Sequence, residues 1–243
     1  MRVAIMAAAA LFAGPALAVD DYDDCLALLA QDPVRAEQEA GDWARFGGGA
    51  PARHCYALSL LELGAVGTAI DELIGIASEE PDLEKPERAA MLVQAGELLL
   101  DENDDLTAQV VAEQAVQLDP NSRDGFGLRG ALKLRAGEPR AALRDLNIAL
   151  EGGRVNARFL SLRSAAKRRL GRLIAARDDS IYATEVAPDS ARVWLERGRV
   201  ETALDDKPSA RQSFLRAIDL SRGQELEALA QLALQRMEAG YKD

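Results

Sequence analysis

Residues Arg192–Ser221 read RVWLERGRVETALDDKPSARQSFLRAIDLS, and the pattern of this stretch returns at a fixed interval between Met91 and Arg222. One register position always holds a small residue, namely Gly96, Gly130, Ser164 and Gly198. Four residues before it stands a large apolar residue and twelve after it an alanine: Leu92, Phe126, Leu160 and Trp194, then Ala108, Ala142, Ala176 and Ala210. A unit this short cannot bury its own apolar face, so the repeat predicts a stack of units.

Each unit contains two amphipathic runs separated by a short break. In the second unit these runs are Ser122–Ala136 and Pro139–Leu150, where apolar residues recur at the three- and four-residue steps of an α-helix. Gly137 suits the left-handed residue that ends a helix, and the proline that opens the second run suits a first turn, where a missing N–H costs nothing. We therefore predict antiparallel helix pairs in which Gly130 lies against Ala142, so that the two backbones approach closely.

A 34-residue helix-turn-helix unit with this pattern resembles the tetratricopeptide repeat, TPR. The resemblance covers four units, Met91–Asp119, Asp124–Glu151, Ala157–Ala187 and Arg192–Ser221. The first-helix tyrosine of the family is replaced by Leu99, Lys133, Lys167 and Glu201, a departure expected to shift packing rather than fold. The resemblance implies an all-α, right-handed TPR-like α-solenoid of antiparallel helix hairpins, with a concave groove lined by the first helix of each pair.

The repeat pattern also divides the rest of the chain. A weaker fifth copy lies upstream, between Ala57 and Pro81, and a helix with one apolar face follows the last unit. Such a helix suits the end of a solenoid, because one face covers the last repeat and the other meets water. We predict a signal peptide at 1–18, an irregular N-terminal helical hairpin at 19–50, a TPR-like repeat array at 51–223 and a C-terminal capping helix at 224–243.

The N-terminal segment has the pattern of a cleaved signal peptide. Arg2 gives a positive start, Val3–Ala13 is apolar, and Ala16–Ala18 provides a small-residue cleavage site. The apolar stretch is too short to span a bilayer. The pattern predicts a secreted chain that begins near Val19, has no integral membrane segment in its mature form and is located in a periplasm.

The two cysteines, Cys25 and Cys55, are expected to form a structural disulfide. An even pair in an oxidising compartment favours a bridge. The cysteines fall on the first and third predicted helices, which are neighbours in stacked hairpins. A redox-active pair is disfavoured because the chain has no Cys-x-x-Cys motif.

Charge is distributed unevenly along the chain. Residues 19–153 hold 11 basic and 27 acidic residues, residues 154–199 hold 11 basic and 5 acidic, and residues 200–243 hold 6 basic and 8 acidic. A basic block inside an acidic protein indicates a charged partner. The candidate partner-binding residues are six arginines at first-helix positions expected to face the groove: Arg135, Arg158, Arg168, Arg169, Arg192 and Arg199.

Arginine suits carboxylates because its planar fork can bind both oxygens. We therefore predict that the groove recognises an acidic segment or a C-terminal carboxylate of a protein partner. The alternative is internal pairing, with Asp178, Asp179, Glu185, Glu196 or the acidic N-terminal half. The Lys/Asn clamp with which some TPR domains grip a chaperone C-terminus is missing, since the groove positions hold Gly127, Ala131, Ser161 and Ala165.

The sequence shows little sign of catalytic chemistry. His54 is the single histidine, which excludes a multi-histidine metal or relay site, and Gly47–Gly49 lacks the strand and Lys-Ser/Thr context of a phosphate loop. Nucleic acid is disfavoured by the net charge of −11. We predict no cofactor, no metal site and no enzymatic activity.

The leading hypothesis is a periplasmic TPR adaptor or scaffold that binds a protein partner through its concave groove. Two alternatives stay open: a structural subunit of a cell-envelope complex, and a carrier or holdase for envelope proteins. A holdase would need an exposed apolar groove, and the predicted arginines argue against one.

Overall fold

The structure of the protein is a computed structural model that describes residues 19–80, 82–153 and 155–241. The predicted signal peptide at 1–18 and the Pro81 that ends the weaker repeat therefore lie outside the described residues. Every regular element in the described ranges is helical, which confirms the predicted all-α class. Contacts between residues divide the chain into two compact units, separated after Glu80. The finer segment boundaries stay predictions.

The first unit has four helices: α1 (Tyr22–Leu29), α2 (Pro33–Arg45), α3 (Gly49–Glu62) and α4 (Val66–Glu79). The second unit has nine within the described residues: α5 (Lys85–Asp101), α6 (Asp105–Leu118), α7 (Arg123–Arg135), α8 (Pro139–Ala149), α9 (Ala157–Arg169), α10 (Leu173–Val186), α11 (Ala191–Ala203), α12 (Lys207–Leu220) and α13 (Glu225–Glu238). In the second unit α5 to α12 form four consecutive pairs, and each first helix also packs on the first helix of the next pair. This neighbour-to-neighbour packing is the pattern of stacked repeats.

In each pair of the second unit, the second residue after the first helix has a positive φ. Gly137 and Gly171 have positive φ there, 77° and 73°, as the sequence predicts. The equivalent Asn103 and Asp205 have φ of 61° and 65°. Asparagine and aspartate enter the left-handed region more readily than other side chains. The turn is therefore preserved although its residue changes.

The small residue of the repeat marks the point where the two helices of a pair cross. A Cβ at Gly130 would lie 2.8 Å from Cγ of Leu146, and a Cβ at Gly198 would lie 2.6 Å from Cδ1 of Phe214. Both distances are shorter than van der Waals contact, so glycine is what admits the large side chain of the second helix. The predicted neighbour Ala142 is also close, because its carbonyl oxygen would lie 3.5 Å from the added Cβ at Gly130.

The other two pairs fill this crossing differently. At Gly96 the space is taken by Leu128 of the next pair, whose Cδ2 would lie 2.5 Å from an added Cβ. Ser164 is fully buried and donates its hydroxyl to the carbonyl oxygen of Ala176 at 2.8 Å. The first-helix residue thus stays small in all four pairs, while the size of its neighbour varies.

A buried ionic cluster joins the second pair, with Lys133 at the register position where the family has tyrosine. Asp145 on α8 is 4% exposed. It accepts two hydrogen bonds from Arg129 on α7, at 2.8 and 3.1 Å, and one from Lys133 at 2.6 Å. The hydrogen bond with Asp145 raises the pKa of Arg129. A further nitrogen of Arg129 donates to Oε2 of Glu113 on α6 at 3.0 Å, so one guanidinium ties the pair to its predecessor.

The third pair contains the same ionic cluster at the equivalent register positions. Arg163 donates to both oxygens of Asp179, each at 2.8 Å, and Nζ of Lys167 lies 2.6 Å from Oδ2 of the same carboxylate. Arg163 also reaches the preceding pair through Oδ1 of Asn147, at 3.4 Å. In both clusters an arginine therefore links the two helices of its pair and also contacts the preceding pair, through a carboxylate in the first cluster and an amide in the second.

The fourth pair keeps the buried carboxylate but moves it to the other helix. Ser213 stands in register with Asp179, and Glu201 in register with Lys167. Glu201, 4% exposed, accepts hydrogen bonds from Nε of Arg197 at 2.9 Å and from the hydroxyl of Ser213 at 2.6 Å. Compared with the third pair, the first helix gains a carboxylate and the second helix loses one. The fourth pair therefore still has one buried carboxylate next to an arginine.

The first unit contains the predicted disulfide, which links Cys25 on α1 to Cys55 on α3. Both cysteines are fully buried. Beside the bridge, the hydroxyl of Tyr22 lies 2.6 Å from Nδ1 of His54, and the two rings stack. Burial raises the pKa of Tyr22. The single histidine of the chain thus takes part in the packing of α1 on α3.

The last helix, α13, takes the position of a first helix. It packs on α12 and α11, and it buries Ala230, Ala233 and Met237. The residue in register with Gly198 is Leu232, whose side chain is 52% exposed. No second helix follows on this face within the described residues, so the side chain of Leu232 stays accessible to solvent.

We expect Gly198→Ala to lower the free energy of unfolding by about 1–3 kcal/mol, because the added methyl group overpacks the crossing with Phe214. Urea denaturation followed by circular dichroism measures the loss. The matched control is Gly67→Ala on α4, where an added Cβ meets no heavy atom within 4 Å. The control should change stability by less than about 1 kcal/mol, and in the stabilising direction. Equal losses in both variants would contradict this account.

A second prediction concerns the ionic cluster of α7 and α8. Asp145→Ser should cost about 3 kcal/mol, because Arg129 and Lys133 lose a buried counter-charge. The double variant Lys133→Glu/Asp145→Ser recreates the arrangement of Glu201 and Ser213, and we expect it to recover most of that loss. Urea denaturation compares the single and double variants. A double variant no more stable than the single one would show that the carboxylate cannot be exchanged between the helices.

Candidate functional site: an arginine-lined groove

The second unit contains a groove of about 760 Å³. Its helical lining comes from α5, α7, α9, α11 and α13, which are first helices, and the rest from the short connections before α9 and α11. We call this cavity the arginine groove, because it brings together all six predicted arginines: Arg135, Arg158, Arg168, Arg169, Arg192 and Arg199. The expected placement on the first helices is therefore observed, whereas binding of a partner by these residues stays a prediction.

The floor of the arginine groove is apolar, which the arginine pattern of the sequence did not indicate. Leucine, valine and alanine side chains line it between the arginines, namely Ala131, Leu134, Ala157, Leu162, Ala165, Val193, Leu195, Leu226 and Leu229. Leu229 is 46% exposed. The apolar residues on the groove-facing side of each first helix, such as Leu162 and Ala165, could have predicted this floor from the sequence. The prediction considered only the arginines beside them. The arginines therefore do not by themselves argue against an apolar groove.

Gly127, which the sequence places among the groove residues, serves the core instead. A Cβ at this position would overlap the ring of Phe159, and Phe159 is 2% exposed. The glycine is therefore needed to admit a ring from the next pair. Ala131, Ser161 and Ala165 do line the groove, as expected.

The arginine groove is positively charged within an acidic chain. Its lining contains six arginines and two acidic residues, Asp101 and Glu196. The whole chain carries a net charge of −11. A positive cleft with low-dielectric walls attracts anionic groups from solution and raises their rate of encounter.

One arginine of the groove is part of a buried ion pair. Nε and Nη2 of Arg168 donate to the two carboxylate oxygens of Glu196, at 2.9 and 3.2 Å. The two side chains are 9% and 7% exposed. Arg199 lies farther from the same carboxylate, at 3.9 Å. Internal pairing, the alternative that the sequence left open, is therefore observed for Arg168 and Arg199 with Glu196. It is also observed with the acidic N-terminal half, where Glu97 pairs with Arg158 and Asp105 with Arg135. Asp179 pairs with Arg163 and Lys167 instead.

Four other arginines form two rows across the groove. The C-terminal row consists of Arg135 and Arg169, the last residues of α7 and α9, and both donate to the carbonyl oxygen of the residue 35 positions earlier. Arg135 also lies 3.1 Å from Oδ2 of Asp105. These hydrogen bonds hold the two guanidinium groups at one edge of the groove.

The N-terminal row consists of Arg158 and Arg192, in the first turns of α9 and α11. Arg158 pairs with Glu97, but both side chains are about half exposed, at 45% and 40%. Such a surface pair contributes little and is easily exchanged for another carboxylate. Arg192 is exposed and has no hydrogen-bond or ion-pair partner among the described residues.

Solved structures share this architecture. PilF of Pseudomonas aeruginosa superposes with a TM-score of 0.69 at 17% identity, over 90% of this chain and 96% of that one. A chain of the Cut9–Hcn1 hetero-tetramer of the APC/C gives a TM-score of 0.71 at 15% identity, over 89% of this chain and 42% of that one. YrrB, described as a TPR protein with an unusual peptide-binding site, gives 0.51 at 17% identity, over 84% and 99%.

This chain has the TPR fold. The solved relatives and the helix pairs confirm the predicted resemblance at the level of architecture. Comparison with family profiles gives no match, and comparison with curated proteins gives none either. The identities are too low for the similarity to carry a function, so the chemistry of the groove itself has to indicate the partner.

Two further findings concern all the described residues. None of the helices in the described part of the chain is both long and apolar enough to cross a membrane. The described residues also contain no group of three or more histidine, cysteine, aspartate or glutamate side chains placed to hold a metal ion.

Proposed function

We propose that the chain is a non-enzymatic TPR adaptor or scaffold that binds an acidic segment of a protein partner in the arginine groove. The proposal rests mainly on one observation. Six arginines line a single groove with an apolar floor, although the protein as a whole is acidic. An apolar floor supplies burial energy, and the arginines supply charge-assisted hydrogen bonds that select carboxylates.

The described contacts support a division of labour among the six arginines. Arg168 is buried against Glu196 and holds α9 to α11. Arg158 and Arg192 are accessible, and replacing the exposed contact of Arg158 with a partner carboxylate costs little. We therefore assign direct partner contact to the N-terminal row first.

The proposal includes export to a periplasm through the signal peptide predicted at 1–18. The buried bridge between Cys25 and Cys55 supports it, because structural disulfides persist in oxidising compartments and are rare in the cytosol. The disulfide and the predicted signal peptide involve different parts of the chain, and both favour the same compartment.

We expect protein recovered from periplasmic extract to begin at or near Val19 and to carry no free thiol. Alkylation in denaturant without a reductant, followed by intact mass measurement, tests both statements at once. The expected mass lacks the segment 1–18 and any alkyl group. Recovery from the cytosolic fraction with two alkylated cysteines would overturn the assignment.

A crosslinking pull-down tests the binding function. The mature chain should capture a protein that the variant Arg158→Glu/Arg192→Glu loses, because reversed charges repel an acidic segment. Arg168 is left intact, since its replacement by Glu would bury two carboxylates together. The control variant is Arg140→Glu/Arg144→Glu, which makes the same change in net charge at exposed positions of α8 outside the groove.

Both variants are checked by circular dichroism to be folded. Capture by the wild type and the control but not by the groove variant supports the proposal. Equal capture by all three proteins would remove the arginine groove from the binding surface and direct attention to the acidic N-terminal half.

The apolar floor favours a second candidate, a carrier or holdase for unfolded envelope proteins. Leu229 and its neighbours would then bind exposed apolar segments. A holdase suppresses the aggregation of an unrelated denatured protein, and the Arg158→Glu/Arg192→Glu variant would keep that effect. An adaptor for an acidic segment would show no such suppression.

A further inference from the structure

The two arginine rows differ in position along the helices that carry them. Arg158 is in the first turn of α9 and Arg169 is its last residue. Arg169 comes eleven positions after Arg158, so at 1.5 Å per residue their backbones are about 16 Å apart along the helix axis. Arg192 continues the first row on α11, and Arg135 continues the second on α7. The groove is thus bounded by positive charge on both edges.

Between the rows the floor is made of small and branched apolar side chains. Ala131, Ser161 and Ala165 lower it, while the partly exposed Leu162 and Leu229 provide apolar contact. An occupant must therefore present an apolar face to the floor and negative charge to both edges at the same time. This combination restricts the backbone conformation of the occupant.

An extended peptide meets this requirement poorly. Successive side chains of a strand point to opposite faces, so the residues that do not face the floor face solvent.

A helix meets this requirement well. Apolar residues at three- and four-residue steps form one stripe, and the positions on either side of that stripe point to the left and to the right. With side chains, a helix is about 10–12 Å across, which is less than the backbone separation of about 16 Å between the two arginine rows.

We propose that the occupant of the arginine groove is an acidic amphipathic α-helix of the partner, lying across the first helices with its apolar stripe on the floor. Its carboxylates flank the stripe and contact Arg158 and Arg192 on one edge and Arg169 on the other. This inference rests on the proposed function and specifies the conformation and charge pattern of the partner.

The test uses three fluorescein-labelled peptides, each long enough for about five turns of helix and acetylated and amidated so that no terminal charge takes part. The first has leucines at three- and four-residue steps, glutamates on both sides of that stripe and alanine elsewhere. The second has the same composition in an order that abolishes the stripe but keeps the helix. The third is the first peptide with two central prolines, which break the helix. Fluorescence anisotropy measures binding to the purified protein.

We expect the striped helix to bind at least about tenfold more tightly than either control peptide, a ratio that corresponds to about 1.4 kcal/mol. Affinity for the striped helix should fall about tenfold in Arg158→Glu/Arg192→Glu and also in Arg169→Gln, because each loses charge-assisted hydrogen bonds at one edge. Arg140→Glu/Arg144→Glu should bind like the wild type.

Each other result overturns the inference in a recognisable way. Equal binding of the proline peptide would show that an extended segment suffices, and equal binding of the unpatterned peptide would show that charge alone is read. Unchanged affinity in Arg169→Gln would show that a single edge is used. If no peptide binds while the pull-down still depends on Arg158 and Arg192, the helical occupant is wrong and the adaptor function stands. If the pull-down is also insensitive to these arginines, both proposals fall.

Discussion

The close crossing of two helices at one small residue is the constraint on which the rest of this fold depends. Because Gly130 and Gly198 have no side chain, the second helix can place Leu146 or Phe214 directly against the first backbone. That contact lets the two helices of a pair approach closely, and other faces of the first helix stay available for other contacts. Side chains on the remaining surface of successive first helices line the arginine groove, so the same helices that pack at the crossing present the candidate binding surface.

The ionic clusters show a different strategy from the apolar crossing. Buried ion pairs add little net stability compared with apolar residues of similar size, but removing one partner is costly. A helix pair that contains such a cluster therefore tolerates only coordinated changes. The third pair has Lys167 and Asp179 where the fourth pair has Glu201 and Ser213, and this difference is a coordinated change. The same guanidinium groups reach the preceding pair through Glu113 and Asn147. Their geometry therefore couples register within a pair to register between pairs.

Much of the architecture could be predicted from the sequence because the repeat averages over four units. The helix pairs and the glycine turns at Gly137 and Gly171 followed from spacing. The disulfide followed from an even cysteine pair on neighbouring predicted helices, and the placement of the six arginines in one groove from the TPR resemblance. What spacing does not reveal is which side chain fills a given space. The seating of Phe159 over Gly127, the pairing of Arg168 with Glu196 and the apolar floor depend on neighbours distant in sequence. Such contacts form only when both helices are packed together, so the sequence of one helix does not reveal them.

Leu232 has a consequence for what can dock on α13. A second helix packs closely on its first helix where a small residue stands at the crossing, as at Gly130 and Gly198. Here the crossing of α13 is occupied by a leucine where the preceding pairs have a glycine or a serine. A further second helix could not approach α13 as closely as Phe214 approaches Gly198. A second helix docked on α13 would therefore need a small residue at this position to pack as closely as α12 packs on α11.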